Sequence, residues 1–311
     1  MPTLTMHDTT DSPTHFTDVD DFSADALAEL LTAAAAAKAG ELDDGDALAG
    51  QTLSMLFEKP STRTRVSFET GMTQLGGHAQ FLGPDDLQLG AGEPLKDTAR
   101  ALSRYVDGVV ARLFDDDDLA TLAEHATVPV VNGLTDDAHP CQTLADLLTL
   151  RETVGLDAEV AWVGDANNVC RSFVLGCAML GVDLTVATPA GYALPEAHLD
   201  HAADLGTAPA TTTDPEAAVA GADAVYTDVW VSMGEEAARE EKLPAFEDGG
   251  FTVDADLMAA AADDAVLMHC LPAHRGEEVT ETVLEGERSV VWDQAENRLH
   301  AQKALLTELM G

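Results

Sequence analysis

The sequence predicts an α/β chain built as two doubly wound parallel-sheet domains. Apolar strand-type runs alternate with amphipathic helical stretches, the pattern of parallel sheets covered on both faces. The alternation runs as one series, pauses near Arg151 and starts again at Glu159. A chain of 311 residues suits two domains of ordinary size, each able to bury its own core. The expected division is a first domain over 1–151, a second over 152–293, and a closing helix over 294–311 that packs back towards the first.

Residues 1–18 read as a polar lead-in. Ser23 can cap a helix over Ala24–Ala39, with Gly40 as its stop. A strand over Thr52–Phe57 ends at Pro60, and a helix begins after Ser61 and closes near Gly76-Gly77. Then come Ala79–Leu82, a helix around Leu95–Tyr105, Val106–Leu113, a helix near Asp116–Ala126, Val128–Val131, and a helix over Gln142–Val154 ended by Gly155. The second series opens with Glu159–Val163 and a helix over Val169–Leu180. It continues through Leu184–Ala187, a helix near Pro195–Leu205, and strands at Ala224–Thr227, Val266–Met268 and Val290–Trp292, and closes in a helix over Gln294–Leu309.

Composition narrows the function. Asp and Glu number 56 against 16 Lys and Arg, five of them Lys, for a net charge of −40. A general nucleic-acid or anionic-membrane binder needs basic surface, so both are excluded. Hydrophobic content of 46% marks a globular protein, so the charge does not signal disorder. An acidic, lysine-poor surface over a well-patterned core reads as adaptation to a high-salt cytoplasm, where self-repulsion is screened. Cys141, Cys170, Cys177 and Cys270 form no Cys-x-x-Cys pair, and a chain of this size needs no disulfide stapling. Met1 to Asp21 shows neither a basic region nor an apolar run, and no stretch reaches about 18 consecutive apolar residues. A soluble cytoplasmic protein is expected.

The densest chemistry lies in Phe57-Glu58-Lys59-Pro60-Ser61-Thr62-Arg63-Thr64-Arg65. A helix start offers unpaired N–H groups and a positive dipole end, so it attracts anions. Hydroxyls and two arginines at that spot suit a small, doubly charged oxyanion, most simply phosphate. The plainer reading is a capped helix whose arginines pair with surface acids. It is not a P-loop, because the glycines and the Gly-Lys-Ser/Thr ending are missing.

Other clusters fall where doubly wound sheets bind ligands, beyond the carboxyl ends of strands. Val106–Ala111 ends in Arg112, and Val130–Leu134 leads into Asp137-Ala138-His139-Pro140-Cys141-Gln142. Val163-Gly164-Asp165-Ala166-Asn167-Asn168 lacks the glycines of a dinucleotide fingerprint and presents amides suited to a carboxylate or ammonium. Tyr226-Thr227-Asp228 runs into Trp230-Val231-Ser232-Met233-Gly234-Glu235. His269-Cys270-Leu271-Pro272 follows a strand; adjacent His and Cys rarely ligate one zinc, and no partner spacing supports that reading. Asp293-Gln294-Ala295-Glu296-Asn297-Arg298 opens the last helix.

Taken in order, five of these clusters, those of Ser61–Arg65, His139–Gln142, Tyr226–Glu235, His269–Pro272 and Asp293–Arg298, resemble the signatures of the aspartate/ornithine carbamoyltransferase family, from about Leu53 to the C-terminus. The loop of Ser232 and Met233 is similar to that of the ornithine branch. The resemblance implies an active site in the cleft between the domains and transfer of a carbamoyl group from carbamoyl phosphate to L-ornithine, giving L-citrulline and phosphate. It implies carbamoyl phosphate held by Ser61, Thr62, Arg63, Thr64, Gln88, Arg112, His139, Gln142 and Arg298. Ornithine falls to Asn168, Asp228, Ser232, Met233, Cys270 and Leu271, and the catalytic groups are Arg112, His139 and Cys270. No metal, cofactor or covalent intermediate is implied. A homotrimer or multiple of trimers is, with Gln88 of one subunit reaching a neighbour's site. In the family it resembles, histidine usually stands where this chain has Arg171, and the loop over residues 83–88 is more acidic than usual.

The remaining alternatives are transfer to putrescine, acetylornithine or aspartate, a nicotinamide oxidoreductase, and a non-catalytic phosphate-binding paralogue. A dicarboxylate acceptor needs basic residues where this chain offers Asp228. An oxidoreductase needs the missing glycine fingerprint. The paralogue is disfavoured by the presence of Arg112, His139, Cys270 and Arg298 together.

Salt dependence follows from charge alone. The Debye length shrinks to about 3 Å only near 1 M salt, so dilute buffer leaves the surface acids repelling one another. The melting temperature is expected to climb between dilute buffer and multimolar KCl, measured by circular dichroism. An unchanged melting temperature contradicts the charge argument.

Overall fold

The computed structural model describes residues 13–41, 45–86 and 92–311. They form two compact units, one over residues 1–145 with 297–311, the other over 146–296. The chain passes between units twice, within helix α5 (Pro140–Thr153) and within helix α12 (Val291–Met310).

The first unit holds four strands, β1 (Thr52–Phe57), β2 (His78–Leu82), β3 (Gly108–Arg112) and β4 (Val130–Leu134). All pair in parallel in the order β2-β1-β3-β4. Its helices are α1 (Ala24–Lys38), α2 (Thr62–Gln74), α3 (Leu95–Leu102) and α4 (Asp116–His125), with the ends of α5 and α12. Strand β3 is buried along its whole length, and Leu56, Val109, Ala111, Leu119 and Leu122 share one apolar cluster. That cover on both faces explains why the strands read as continuous apolar runs.

The second unit carries β5 (Glu159–Val163), β6 (Asp183–Ala187), β7 (Ala210–Thr212), β8 (Ala224–Thr227) and β9 (Val266–His269), all parallel in the order β7-β6-β5-β8-β9. Around them lie α6 (Asn168–Leu180), α7 (Glu196–Leu205), α8 (Pro215–Val219), α9 (Arg239–Glu247), α10 (Ala255–Ala260) and α11 (Glu281–Leu284). Trp162, Phe173 and Tyr226 form a ring cluster, with Trp162 and Tyr226 centroids 4.7 Å apart. Trp230 stacks on Phe246 at 5.2 Å, and Phe251 meets Phe246 edge-on. No described helix is long and apolar enough to cross a membrane.

The two-domain parallel α/β architecture is as expected, with one element corrected. Val290–Trp292 is not a strand. A single bridge joins Ser289 to Leu267, and Gln294 N–H already donates to Val290 O in a helical turn. Val290 precedes α12, its N–H donating to Leu267 O, and Val291, buried, and Trp292, 56% exposed, already belong to the first turn of that helix, so the triplet is not a buried ladder. The sequence reading also left β7 and the helices α8 to α11 unassigned. β7, α8, α10 and α11 are too short for periodicity to register, while α9 carries Pro244 inside it, a residue that argues against a helix in the sequence.

In each sheet the strand order reverses once, between β1 and β3 in the first and between β5 and β8 in the second. At such a reversal the connections leave to opposite faces, opening a crevice at the carboxyl ends. Phe57 pairs with Arg112 at one reversal and Trp162 with Tyr226 at the other.

Behind the second reversal, Phe246 is fully buried between Trp230 and Phe251. Phe246→Ala should cost about 3–5 kcal/mol, the usual cost of emptying a buried aromatic site. Denaturant unfolding at fixed salt reads this loss; a change below about 1 kcal/mol would mean that the stack carries no weight.

Candidate active site

The phosphate-type site begins where β1 ends. Glu58 N–H donates to Arg112 O at 2.8 Å, tying the end of β1 to that of β3. Ser61 is the N-cap of α2, its hydroxyl accepting from Thr64 N–H at 3.2 Å and donating to the Thr64 hydroxyl at 3.0 Å. From α12, Arg298 donates to the Thr64 hydroxyl at 2.8 Å and to Gln142 Oε1 at 3.0 Å. One guanidinium therefore links the start of α2 to the start of α5.

His139 stands one residue before α5, buried, and Arg112 and Arg298 are also buried. Burial holds the His139 imidazole well below its usual range, and the charges of Arg298, Arg112 and Arg63 push it further down. Arginine cannot shed its proton, so the histidine stays neutral. Three positive charges around a neutral ring make a field that favours an anion, with His139 able to meet a carbonyl oxygen without adding charge.

Ser61, Arg63, Thr64, Arg112, His139, Gln142 and Arg298 thus gather in the first unit, and Thr62 sits exposed on the first turn of α2. Arg65, the second arginine of the run and not among the residues expected to hold carbamoyl phosphate, is committed elsewhere. Its Nε bonds Glu69 at 3.0 Å and its guanidinium lies 4.1 Å from the centre of the Phe81 ring. The plainer reading, a helix arginine paired with a surface acid, fits Arg65. Gln88 lies outside the described residues. Cys141, the neighbour of His139, donates its thiol to Asn132 O at 3.2 Å, and burial pushes it up to about 12, so it is an inert packing group.

The second unit gathers the other set around Asp228, at the end of β8. Asp228 Oδ2 accepts from Asn167 Nδ2 at 2.7 Å and Oδ1 from the Cys270 thiol at 2.9 Å. Asn167 is also the N-cap of α6, its Oδ1 accepting from Val169 and Cys170 N–H. Asn168 follows it, half-buried, at the first position of that helix. Arg171, one turn further along α6, is also half-buried. Leu271 holds a left-handed backbone at φ 59, fixed by its N–H donating to His269 Nδ1 at 2.9 Å. That leaves the hydrogen on His269 Nε2, which meets Glu278 Oε1 at 3.1 Å. Ser232 is half-buried and Met233 is 46% exposed, both in the loop after Trp230.

Asp228, His269 and Cys270 bring three donor atoms within 4.8 Å of one another, a closer grouping than sequence spacing suggested. Both nitrogens of His269 are committed, however, to Leu271 and Glu278. A metal there would have to break one of these bonds.

Two residues were missed by the sequence reading. Asn167, beside the chosen Asn168, is the amide that bonds Asp228. Lys242 is buried on α9 and bridges Asp165 and Glu235 at 2.7 and 2.8 Å. One of five lysines in so acidic a chain, it could have been singled out by its rarity.

Residues 14–152 match the family described as aspartate/ornithine carbamoyltransferase, carbamoyl-P binding domain, and residues 156–309 match its Asp/Orn binding domain. An ornithine carbamoyltransferase from Haloquadratum walsbyi is 62% identical over 299 residues, covering 96% of this chain and 98% of that protein. The solved ornithine carbamoyltransferase of Pyrococcus furiosus superposes with a TM-score of 0.89 at 49% identity, covering 96% of this chain and 97% of that one. An acetylornithine transcarbamylase complexed with acetylcitrulline superposes at 0.85 with 34% identity, covering 96% and 99%.

The depressed His139 value sets a pH signature. An unfolded histidine titrates near 6.5, so the neutral ring's contribution to stability is present above that pH and lost as pH falls below it. The His139 ring should show no titration midpoint near 6.5 in a folded-state NMR series, and Arg298→Gln should raise its midpoint. A wild-type midpoint at 6.5 would place the ring in water instead.

Proposed function

The chain belongs to the aspartate/ornithine carbamoyltransferase family, and we propose that it carries the carbamoyl group of carbamoyl phosphate to the δ-amine of L-ornithine. The reading rests on one observation above all: a buried carboxylate, Asp228, stands in the acceptor-side set, held by Asn167 and Cys270. A carboxylate there matches an acceptor bearing an α-ammonium and repels the dicarboxylate of aspartate.

In this reading the first unit binds the donor. Ser61, Thr62, Arg63 and Thr64 hold the phosphate at the start of α2, and Gln142 and Arg298 bind beside them. Arg112 and neutral His139 polarise the carbamoyl oxygen as charge develops on it. The second unit binds the acceptor through Asn168, Asp228, Ser232 and Met233, with Cys270 and Leu271 along the path of the δ-amine. The amine nitrogen forms a bond to the carbonyl carbon, the bond from that carbon to the phosphate oxygen breaks, and the amine loses a proton. A δ-amine, like lysine, titrates near ~10.4 and must be neutral before it attacks. Carbamoyl phosphate is already activated, so positioning and charge stabilisation suffice.

A trimeric assembly completed by Gln88 from a neighbouring subunit, a cytoplasmic location and a salt-rich host belong to the same proposal. They are supported by the family resemblance, the charge of −40 and the acidic lysine-poor composition.

The deciding experiment compares ornithine, putrescine, acetylornithine and aspartate side by side as carbamoyl acceptors. Ornithine should be the preferred acceptor. Asp228→Asn should raise the ornithine KM by about 10- to 150-fold, the equivalent of one charge-assisted hydrogen bond worth roughly 1.5–3 kcal/mol. Carbamoyl phosphate binding should be nearly unchanged. Equal loss for both substrates would refute the division of labour between the units.

A further inference from the structure

We propose that Lys242 is a positioning residue that sets the conformation of the Ser232–Met233 loop and thereby the affinity for the acceptor amino acid. The inference rests on the ornithine reading above and adds a residue that this reading does not use.

The geometry is a three-part chain within the second unit. Asp165 lies at the end of β5, in the turn that continues into Asn167 and Asn168, and is itself buried. Its Oδ2 accepts from Lys242 Nζ at 2.7 Å, which fixes the ammonium to the body of the sheet. The same ammonium donates to Glu235 Oε2 at 2.8 Å, and that oxygen also accepts from Ser232 N–H at 3.1 Å. Glu235 N–H in turn donates to Ser232 O at 3.0 Å, so the loop closes on Glu235. The loop's other acid, Glu236, only caps Gly234 N–H within the loop. Glu235 is therefore the acid that reaches from the loop to the folded body, and Lys242 is what it reaches.

Charge explains why a cation is needed at that point. Asp165, Asp228 and Glu235 are close enough that Asp228 and Glu235 both raise Asp165, whose burial pushes it up to about 6 despite Lys242. Burial disfavours the charge on Lys242 as well, but Asp165 and Glu235 outweigh it and hold the ammonium above the ordinary lysine range. Without the ammonium, Glu235 would face two carboxylates with nothing between, and the loop would swing away from them. Lys242 Nζ lies 5.7 Å from the centre of the Tyr192 ring, whose centroid is 5.0 Å from that of Phe246. The ammonium and Asp165 are both buried, so that half of the bridge keeps one geometry, while Glu235, half-exposed, is the half that belongs to the loop.

The test is steady-state kinetics in molar KCl on Lys242→Met, Lys242→Arg, Glu235→Gln and the double variant Lys242→Met/Glu235→Gln. Lys242→Met should raise the ornithine KM by about tenfold or more, the cost of a lost charge-assisted bond, with carbamoyl phosphate KM and kcat little changed. Lys242→Arg should restore most of the affinity. Glu235→Gln, at a side chain 47% exposed and so harmless to folding, should raise the same KM, and the double variant should be no worse than Lys242→Met. An unchanged ornithine KM in Glu235→Gln overturns the proposal, as does an additive double variant or an equal rise in both KM values. A wild-type enzyme that does not carbamoylate ornithine would instead overturn the reading on which the proposal rests, so the two failures are distinct.

Discussion

The reversal of strand order in each sheet is the constraint on which the rest of the molecule depends. Parallel strands need crossovers, and crossovers on one side of a reversal pack on the opposite face from those on the other. The carboxyl ends of β1 and β3, and of β5 and β8, are therefore left open by topology. Ser61 and Arg112 follow or end one pair; Asn167 and Asp228 follow the other. The chemistry could be placed there without distorting the core, because the core lies behind it along apolar strands.

The same constraint explains what was legible in the sequence. Arg112, Asp228 and Cys270 each lie at or just past the end of an apolar run, so finding the strand was enough to find the residue, whereas His139 was marked by His-Pro-x-Gln at the start of α5. Arg298 is different: it lies two turns inside α12, which begins at Val291, and its contacts with Thr64 and Gln142 tie it to the site. Its place came from resemblance to a known pattern, not from periodicity. What stayed hidden depends on tertiary choice of partner. Arg63 and Arg65 are two apart on one helix and so point to different faces; one contributes to the field around His139 and the other pairs with Glu69. Asn167 and Asn168 are adjacent amides, and only the folded turn shows which meets Asp228. Val290–Trp292 failed for a simpler reason, since three apolar residues carry no period at all.

Capping amides and hydroxyls do double service here. Ser61 starts α2 and binds the Thr64 hydroxyl that Arg298 also reaches. Asn167 starts α6 and holds Asp228. A helix cap is one of the few polar groups that secondary structure fixes in place without packing. Building a site on caps means that forming the helix and orienting the site are one event, so little ordering remains to be done when a ligand arrives.

Charge burial resolves an apparent conflict in the composition. A chain carrying −40 would draw any exposed arginine into pairing with a surface acid, as Arg65 shows with Glu69. Arg112 and Arg298 escape this by being buried, at 7% and 3% exposure, with a neutral histidine between their fields. Burial has a second consequence in concentrated salt. Exposed pairs are screened within about 3 Å at 1 M, whereas charges withdrawn from solvent keep most of their interaction. In concentrated salt the acid-rich surface and the buried cationic cluster are compatible for one physical reason: salt screens the charges it can reach and screens the buried ones much less.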